Sequence, residues 1–256
     1  MFSGGLGSWG AARRAISEYG VDNVTLLFAD TLIEDQDLYR FLDEATASLG
    51  VPLTRIADGR TPWDVFRDVR FIGNTRIDPC SRILKRDLMR SWVEQHCSPE
   101  DATVIMGIDW TEIHRLDRAR PRWEPWRLRA PLCEPPFIDK ADLLSELRRV
   151  GIRPPRLYEM GFPHNNCGGF CVKAGQAQFK LLLERLPERY AAHEREEEAL
   201  RDRSASGVAA YEAEHGEITG QATKTVPLTL RRFRERLGID PADYTEDWGG
   251  CGCAID

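Results

Sequence analysis

The run Ser3-Gly4-Gly5-Leu6-Gly7-Ser8 constrains this chain more than any other segment. Small residues in succession let backbone N–H groups close around an anion, and the run stands directly ahead of Trp9 to Tyr19, which reads as a helix. A helix starting there adds its free N–H groups and the positive end of its dipole at the same point. The expectation is a nucleotide with its phosphates over Gly4, Gly5 and Ser8; an ordinary Gly/Ser turn is the competing reading of the loop taken alone. The apolar run Val24 to Ala29 then ends in Asp30-Thr31. It reads as a buried parallel strand of a βαβ unit with polar residues at its carboxyl end, where ligands of such sheets sit. Since the loop begins at Ser3, only Met1-Phe2 remain for the strand that should lead into it, and a start upstream is expected.

The alternation continues down the chain. Asp35 to Leu49 places Leu38, Phe41, Leu42, Ala45 and Leu49 at helical spacing and is ended by Gly50. Val51 to Ile56 reads as a strand, Trp63 to Val69 as a short helix, and Pro79 opens a helix through Cys80, Ile83, Leu84 and Met89. Ala102 to Gly107 is a further buried strand with Glu112, His114 and Arg115 close behind its carboxyl end. This order predicts an α/β fold: a doubly wound, mostly parallel sheet in residues 1–175, and a helical, cysteine-containing extension, 176–256, packed on it. The Pro-, Trp- and Arg-rich stretch Pro121 to Pro136 reads as an irregular surface loop able to act as a lid. Asp139 to Val150 reads as an amphipathic helix, Phe179 to Arg203 as a long charged helix interrupted at Pro187, and Leu228 to Leu237 as a final helix. Ser204 to Thr223 reads as mobile.

A net charge of -6 argues against bulk nucleic-acid binding, although the basic stretch Arg115 to Arg129 keeps RNA or DNA open as an acceptor. No apolar run approaches the roughly 20 residues that span a bilayer, and no secretory signal is visible, so a cytoplasmic chain without membrane contact is expected. Seven cysteines in such a chain suit thiol, metal or catalytic chemistry better than a disulfide framework. Cys167 and Cys171 form a C-x3-C pair flanked by glycines, Cys251 and Cys253 a C-x-C pair in a glycine-rich tail, and Cys80 stands alone before a basic helix. Cys97 and Cys133 read as structural.

In their order along the chain these motifs resemble the phosphoadenosine phosphosulfate reductase family of the PP-loop, or adenine-nucleotide α-hydrolase, superfamily. The resemblance covers most of residues 1–175. It is carried by the glycine loop, Phe28-Ala29-Asp30-Thr31 with Leu38-Tyr39, Cys80 before Leu84-Lys85, Gly107-Ile108 with Glu112 and Arg115, and Leu157-Tyr158-Glu159-Met160-Gly161-Phe162 ahead of Cys167 and Cys171. It implies that Ser3, Gly4, Gly5, Gly7, Ser8, Asp30, Thr31, Lys85, Gly107, Glu112 and Arg115 surround ATP or a related adenine nucleotide with Mg2+. It also implies a 4Fe-4S cluster on Cys80, Cys167, Cys171 and a fourth ligand, for which Cys251 or Cys253 is the best source and His164 a poorer one. Thiolates are the soft ligands that iron–sulfur clusters require, with zinc the competing metal.

The departures bear on the reaction. ATP-binding members carry an Asp where Gly7 stands, while the paired Gly4-Gly5 resemble an ATP binder; the reductases carry a Glu beside the tail cysteine, where this chain has Gly250-Cys251-Gly252-Cys253. The first expectation is ATP-dependent adenylation of an acceptor followed by sulfur transfer, with Cys251 and Cys253 as the catalytic thiols and a sulfur-donor protein or small thiol as partner. A sulfonucleotide reductase is the second, and a nonenzymatic nucleotide- or cluster-binding partner the third. A homo-oligomer is compatible with each.

Overall fold

The computed structural model describes residues 1–74, 76–215 and 228–239. Helix α1 (Leu6–Tyr19) turns Leu6, Trp9, Ala11, Ala12 and Ala15 inward, and its small residues bring it close to the strands. Strand β1 (Leu26–Asp30) is buried at every position and pairs in parallel with the half-exposed β2 (Leu53–Ala57), Leu26 opposite Leu53 and Asp30 opposite Ala57. The crossover between them is α2 (Gln36–Leu49), capped by the Asp35 carboxylate and closed by Gly50 at φ 69°.

Helix α3 (Pro62–Val69) begins in reciprocal hydrogen bonds between Thr61 and Asp64. Then α4 (Pro79–Ser81), a π-helical turn at Arg82–Asp87 and α5 (Leu88–His96) follow without a break. Strand β3 (Thr103–Ile105) pairs in parallel with β4 (Arg127–Arg129) across helix α6 (His114–Trp123). The fold is therefore mixed α/β, and among the described residues its strands group as two parallel pairs. Met1 and Phe2 lie between the pairs: the Phe2 N–H donates to the Leu27 carbonyl at 2.7 Å, and the Met1 ammonium to the Ile105 carbonyl at 2.9 Å.

The remaining helices are α7 (Lys140–Arg149), α8 (Arg156–Glu159), α9 (Gln176–Arg185), α10 (Pro187–His215) and α11 (Leu230–Ile239). Pro187 divides α9 from α10, as its missing N–H and ring sterics require. One core gathers Trp9, Phe28, Phe41 and Leu143, and a second gathers Val104, Met106, Leu116 and Trp123. A third joins Trp63, Phe66 and Phe170 to Leu182, Tyr190 and Phe233, so the extension after residue 175 shares a core with the chain before it. The Trp63 indole N–H donates to His193 Nδ1 at 2.9 Å across the same boundary.

Two sequence expectations are corrected. Pro121 to Pro136 is not an irregular lid: Trp123 ends α6, β4 follows, and Trp123 and Trp126 are buried with the Arg90 guanidinium over both rings. A strand of three residues, Arg127-Leu128-Arg129, is too short for its alternation to stand out from so basic a stretch. The stretch expected to be mobile from Ser204 is helical to His215 as part of α10. Its remainder, and the tail with Cys251 and Cys253, lie outside the described residues. Among the described residues no helix is long and apolar enough to cross a membrane.

Candidate nucleotide and thiol site

The glycine loop leaves Phe2 and enters α1 with Gly5 as its first cap, at φ -96° and ψ 164°. Gly5 has no side chain to satisfy the helix start, so that role falls elsewhere. The Ser8 hydroxyl accepts from the Gly5 N–H at 3.2 Å and donates to the Gly5 carbonyl at 2.8 Å, and the Leu6 N–H is held by the Tyr158 hydroxyl. Burial pushes Tyr158 up to about 12, so it stays protonated at neutral pH. Gly4 stands at φ +75° with a Cβ position only 2.1 Å from Leu38 Cδ1, a place for glycine alone. Gly5 is different: its nearest neighbour is the Tyr158 hydroxyl at 3.3 Å, and the space beside it is part of a cavity.

That cavity measures about 310 Å3 and brings together most of the expected nucleotide residues. Ser3, Gly5, Gly7 and Ser8 line it with Lys85, Gly107, Glu112 and Arg115. Phe28, Ala29, Met89 and Met106 give it an apolar wall, and Lys140 adds a further cation. Glu112 and Arg115 are paired at 2.6 Å while both line the cavity, so the ion pair and the site position coexist. The Arg115 Nε, the His164 Nδ1 and both polar atoms of the Asn165 amide are buried there without a hydrogen-bond partner, the condition that a polar ligand relieves.

Asp30 and Thr31 do not reach this cavity. The Asp30 carboxylate is buried and accepts from the Tyr39 hydroxyl at 3.0 Å, from the Leu32 N–H at 2.8 Å and from the Arg55 guanidinium. Burial and that carboxylate push the Tyr39 hydroxyl far above its ordinary range. Thr31 donates to Glu34 Oε1 at 2.9 Å and faces a second, smaller cavity.

The second cavity is lined by Cys80, Cys167 and Cys171, the three cysteines that the sequence set apart in its first 175 residues. The Cys167-Gly168-Gly169 backbone is left-handed at three successive residues (φ 50°, 59° and 88°), a turn that only glycines follow without strain. It is held from outside by Arg189, which donates to the Gly168 carbonyl and to Asp35 at 2.8 Å, and by Glu34 Oε2, which accepts from the Cys167 N–H at 2.6 Å. Lys173 and Lys85 also line this cavity. Lys85, on the π-helical turn and 7% exposed, lines both cavities and lies 3.5 Å from Glu34 Oε1. Among the described residues no three His, Cys, Asp or Glu side chains are placed to hold a metal ion, and Cys251 and Cys253 lie outside them.

Sequence reasoning missed Glu34, which ties Thr31, the Cys167 backbone and Lys85 together; its only signal was acidity three residues after Thr31. It also missed Asp35, a fully buried carboxylate held well below its ordinary range, against the opposing effect of burial, by bonds from Arg156, the Asp37 N–H and Arg189. Asn165 and Lys140 carried no signal in sequence, because only folding brings them to the loop. Compared with known proteins, the chain matches no family model and no curated protein sequence.

Proposed function

We propose that the chain is an adenine-nucleotide-dependent enzyme of sulfur chemistry, with phosphates bound at Ser3 to Ser8 and sulfur handled by the thiols of the adjoining cavity. The supporting observation is Lys85, a buried cation shared by the glycine-loop cavity and the cavity of Cys80, Cys167 and Cys171. On this reading the two strand pairs are halves of one doubly wound sheet, and the loop leaves its middle, where such sheets bind ligands.

The Gly7 and Ser8 N–H groups at the start of α1, with Lys85, Arg115 and Lys140, meet the phosphate charge, aided by Mg2+ brought in with ATP. An acceptor oxygen attacks the α-phosphorus and pyrophosphate leaves; the outer sulfur of a cysteine persulfide, charged by the sulfur donor, then attacks the activated carbon, forms the C–S bond and releases AMP, and a second cysteine thiol attacks the first cysteine's sulfur, freeing the thiolated acceptor and leaving a disulfide that a small thiol reduces. Lys85 stands where it can neutralise charge in both steps. Cys80, Cys167 and Cys171, with Cys251 as fourth ligand, are a donor set of the right chemistry for a 4Fe-4S cluster, which when bound supplies redox-active sulfide beside the nucleotide.

Anaerobically prepared protein, examined by visible spectrum and iron content and then given ATP, adenylyl sulfate or phosphoadenylyl sulfate, tests the proposal. AMP and pyrophosphate released from ATP in the presence of a sulfur donor are expected. Sulfite released from either sulfonucleotide would assign the reductase reaction instead, and binding without turnover of any of the three would assign a nonenzymatic role.

A further inference from the structure

Among the unpartnered polar atoms of the glycine-loop cavity, the Asn165 carbonyl oxygen is one that a phosphate cannot satisfy. The side chain is 3% exposed, and neither its amide nitrogen nor its oxygen has a hydrogen-bond partner. Asn165 stands at the head of the turn Asn166–Gly169, a place where an asparagine side chain commonly accepts from the backbone, and it makes no such bond. Two residues on, the Cys167 N–H donates to Glu34, so the chain that carries Asn165 is anchored. The other orphaned atoms are of a different kind. Arg115 Nε only donates, and His164 Nδ1 takes either role with its tautomer, so an anion at the loop can meet both. A phosphate oxygen can likewise accept from the Asn165 N–H2, yet it gives the carbonyl oxygen nothing. A buried amide with both halves unmet requires a partner that presents an acceptor and a donor side by side.

We propose that Asn165 reads the base of the bound nucleotide: its carbonyl oxygen accepts from the 6-amino group of adenine, and its N–H2 donates to the adjacent ring nitrogen. The inference rests on the nucleotide reading above and adds to it the residue that selects the base. Both contacts lie in one plane, as the edge of a purine does, and the same two-point pairing joins asparagine to adenine in base recognition generally. Ribose hydroxyls also donate and accept, but the apolar wall of Phe28, Ala29, Met89 and Met106 in the same cavity suits the flat face of a base. A purine that lacks the 6-amino group leaves the buried oxygen unmet, and the site rejects it by the cost of that orphaned acceptor.

The test titrates the full chain, without a sulfur donor, with ATP and with purine riboside 5′-triphosphate, which differs only in lacking the 6-amino group. Wild type is expected to bind ATP roughly 10- to 100-fold more tightly, as the loss of one buried hydrogen bond implies. In Asn165→Leu, which keeps the size of the side chain without its polar atoms, the two affinities are expected to converge: ATP binds more weakly, and the analogue binds at least as well as to wild type. Asn165→Ala is measured beside it in case leucine disturbs the turn, with circular dichroism and Tm reporting the fold of each. A fall in affinity for both ligands by the same factor, with their ratio kept, overturns the proposal and assigns Asn165 a purely structural part. Equal affinities in wild type overturn it as well while leaving the nucleotide reading intact. Wild type that binds neither ligand overturns both.

Discussion

Gly7 and Gly107 meet backbone to backbone: a Cβ on Gly7 would fall 2.4 Å from the Gly107 carbonyl oxygen, and one on Gly107 would fall 2.4 Å from the Ser8 nitrogen. The start of α1 is thereby pressed onto the chain leaving β3, so the glycine loop packs on a segment a hundred residues away. Neither position has room for a side chain, and the neighbours in the way are backbone atoms that cannot turn aside. Gly107→Ala is expected to cost about 1–3 kcal/mol in urea unfolding, as overpacking does, and to weaken nucleotide binding by moving Ser8.

Gly4 and Gly5 are adjacent but should fail in different ways. Gly4→Ala adds a methyl 2.1 Å from Leu38 Cδ1 at a positive φ, so lowered stability is the main effect, seen as a lower Tm. Gly5 has an ordinary backbone, and a Cβ there meets the Tyr158 hydroxyl at 3.3 Å and little else, so Gly5→Val should keep a native circular dichroism spectrum with a modestly lowered Tm while abolishing nucleotide binding in a titration. Full affinity in Gly5→Val would remove the loop from the site.

Glu34→Ala should destabilise the protein by about 3 kcal/mol, since a buried carboxylate that accepts from Thr31 and from the Cys167 N–H is lost. Glu34→Gln, which keeps one carbonyl oxygen, should cost less. In both variants, iron bound after anaerobic reconstitution should fall further than stability does, because Cys167 loses the bond that sets its backbone. Equal iron content in wild type and Glu34→Ala would show that Glu34 does not hold the thiol loop.

His193 predicts the acid limb of stability. Burial, with the Arg189 charge a smaller cause, lowers its pKa to about 3, against 6.5 for the unfolded chain. Between these values the unfolded chain binds a proton that the folded one does not, so this contribution is full above pH 6.5 and is lost as pH falls toward 3. The loss is about 2 kcal/mol by pH 5. His193→Gln keeps an acceptor for the Trp63 indole N–H and removes the titration, so urea melts at pH 7.5 and pH 5 should differ less in the variant than in the wild type.

Loss of the tail is expected to separate binding from chemistry. Removing residues 249–256 should leave nucleotide affinity close to wild type, because on the proposed reading the loop at Ser3 to Ser8 binds phosphate independently of the tail, and should eliminate turnover. Cys251→Ser and Cys253→Ser should then differ, one losing metal and the other losing activity with metal retained. If both keep full metal and activity, the tail thiols have no catalytic part.

Signals carried by neighbouring residues were legible in the sequence. The glycine loop at the head of α1, the helical spacing from Asp35 to Leu49 with its Gly50 stop, the break at Pro187 and the βα alternation depend on backbone preferences and side-chain spacing within a few residues, and each appears in the fold. The grouping of Cys80 with Cys167 and Cys171 was expected from family resemblance, and the fold brings them to one cavity. Only the tertiary structure decided what each polar group does. Asp30 looked like a ligand contact at a strand end, yet its carboxylate is spent on Tyr39, Leu32 and Arg55. Glu34, unremarkable in sequence, holds the thiol loop, and Lys85 came to border both cavities through a π-helical turn. Sequence spacing fixes which residues share a face, but a buried charge takes the partner that packing brings within hydrogen-bond reach, and that distance is set by the whole fold.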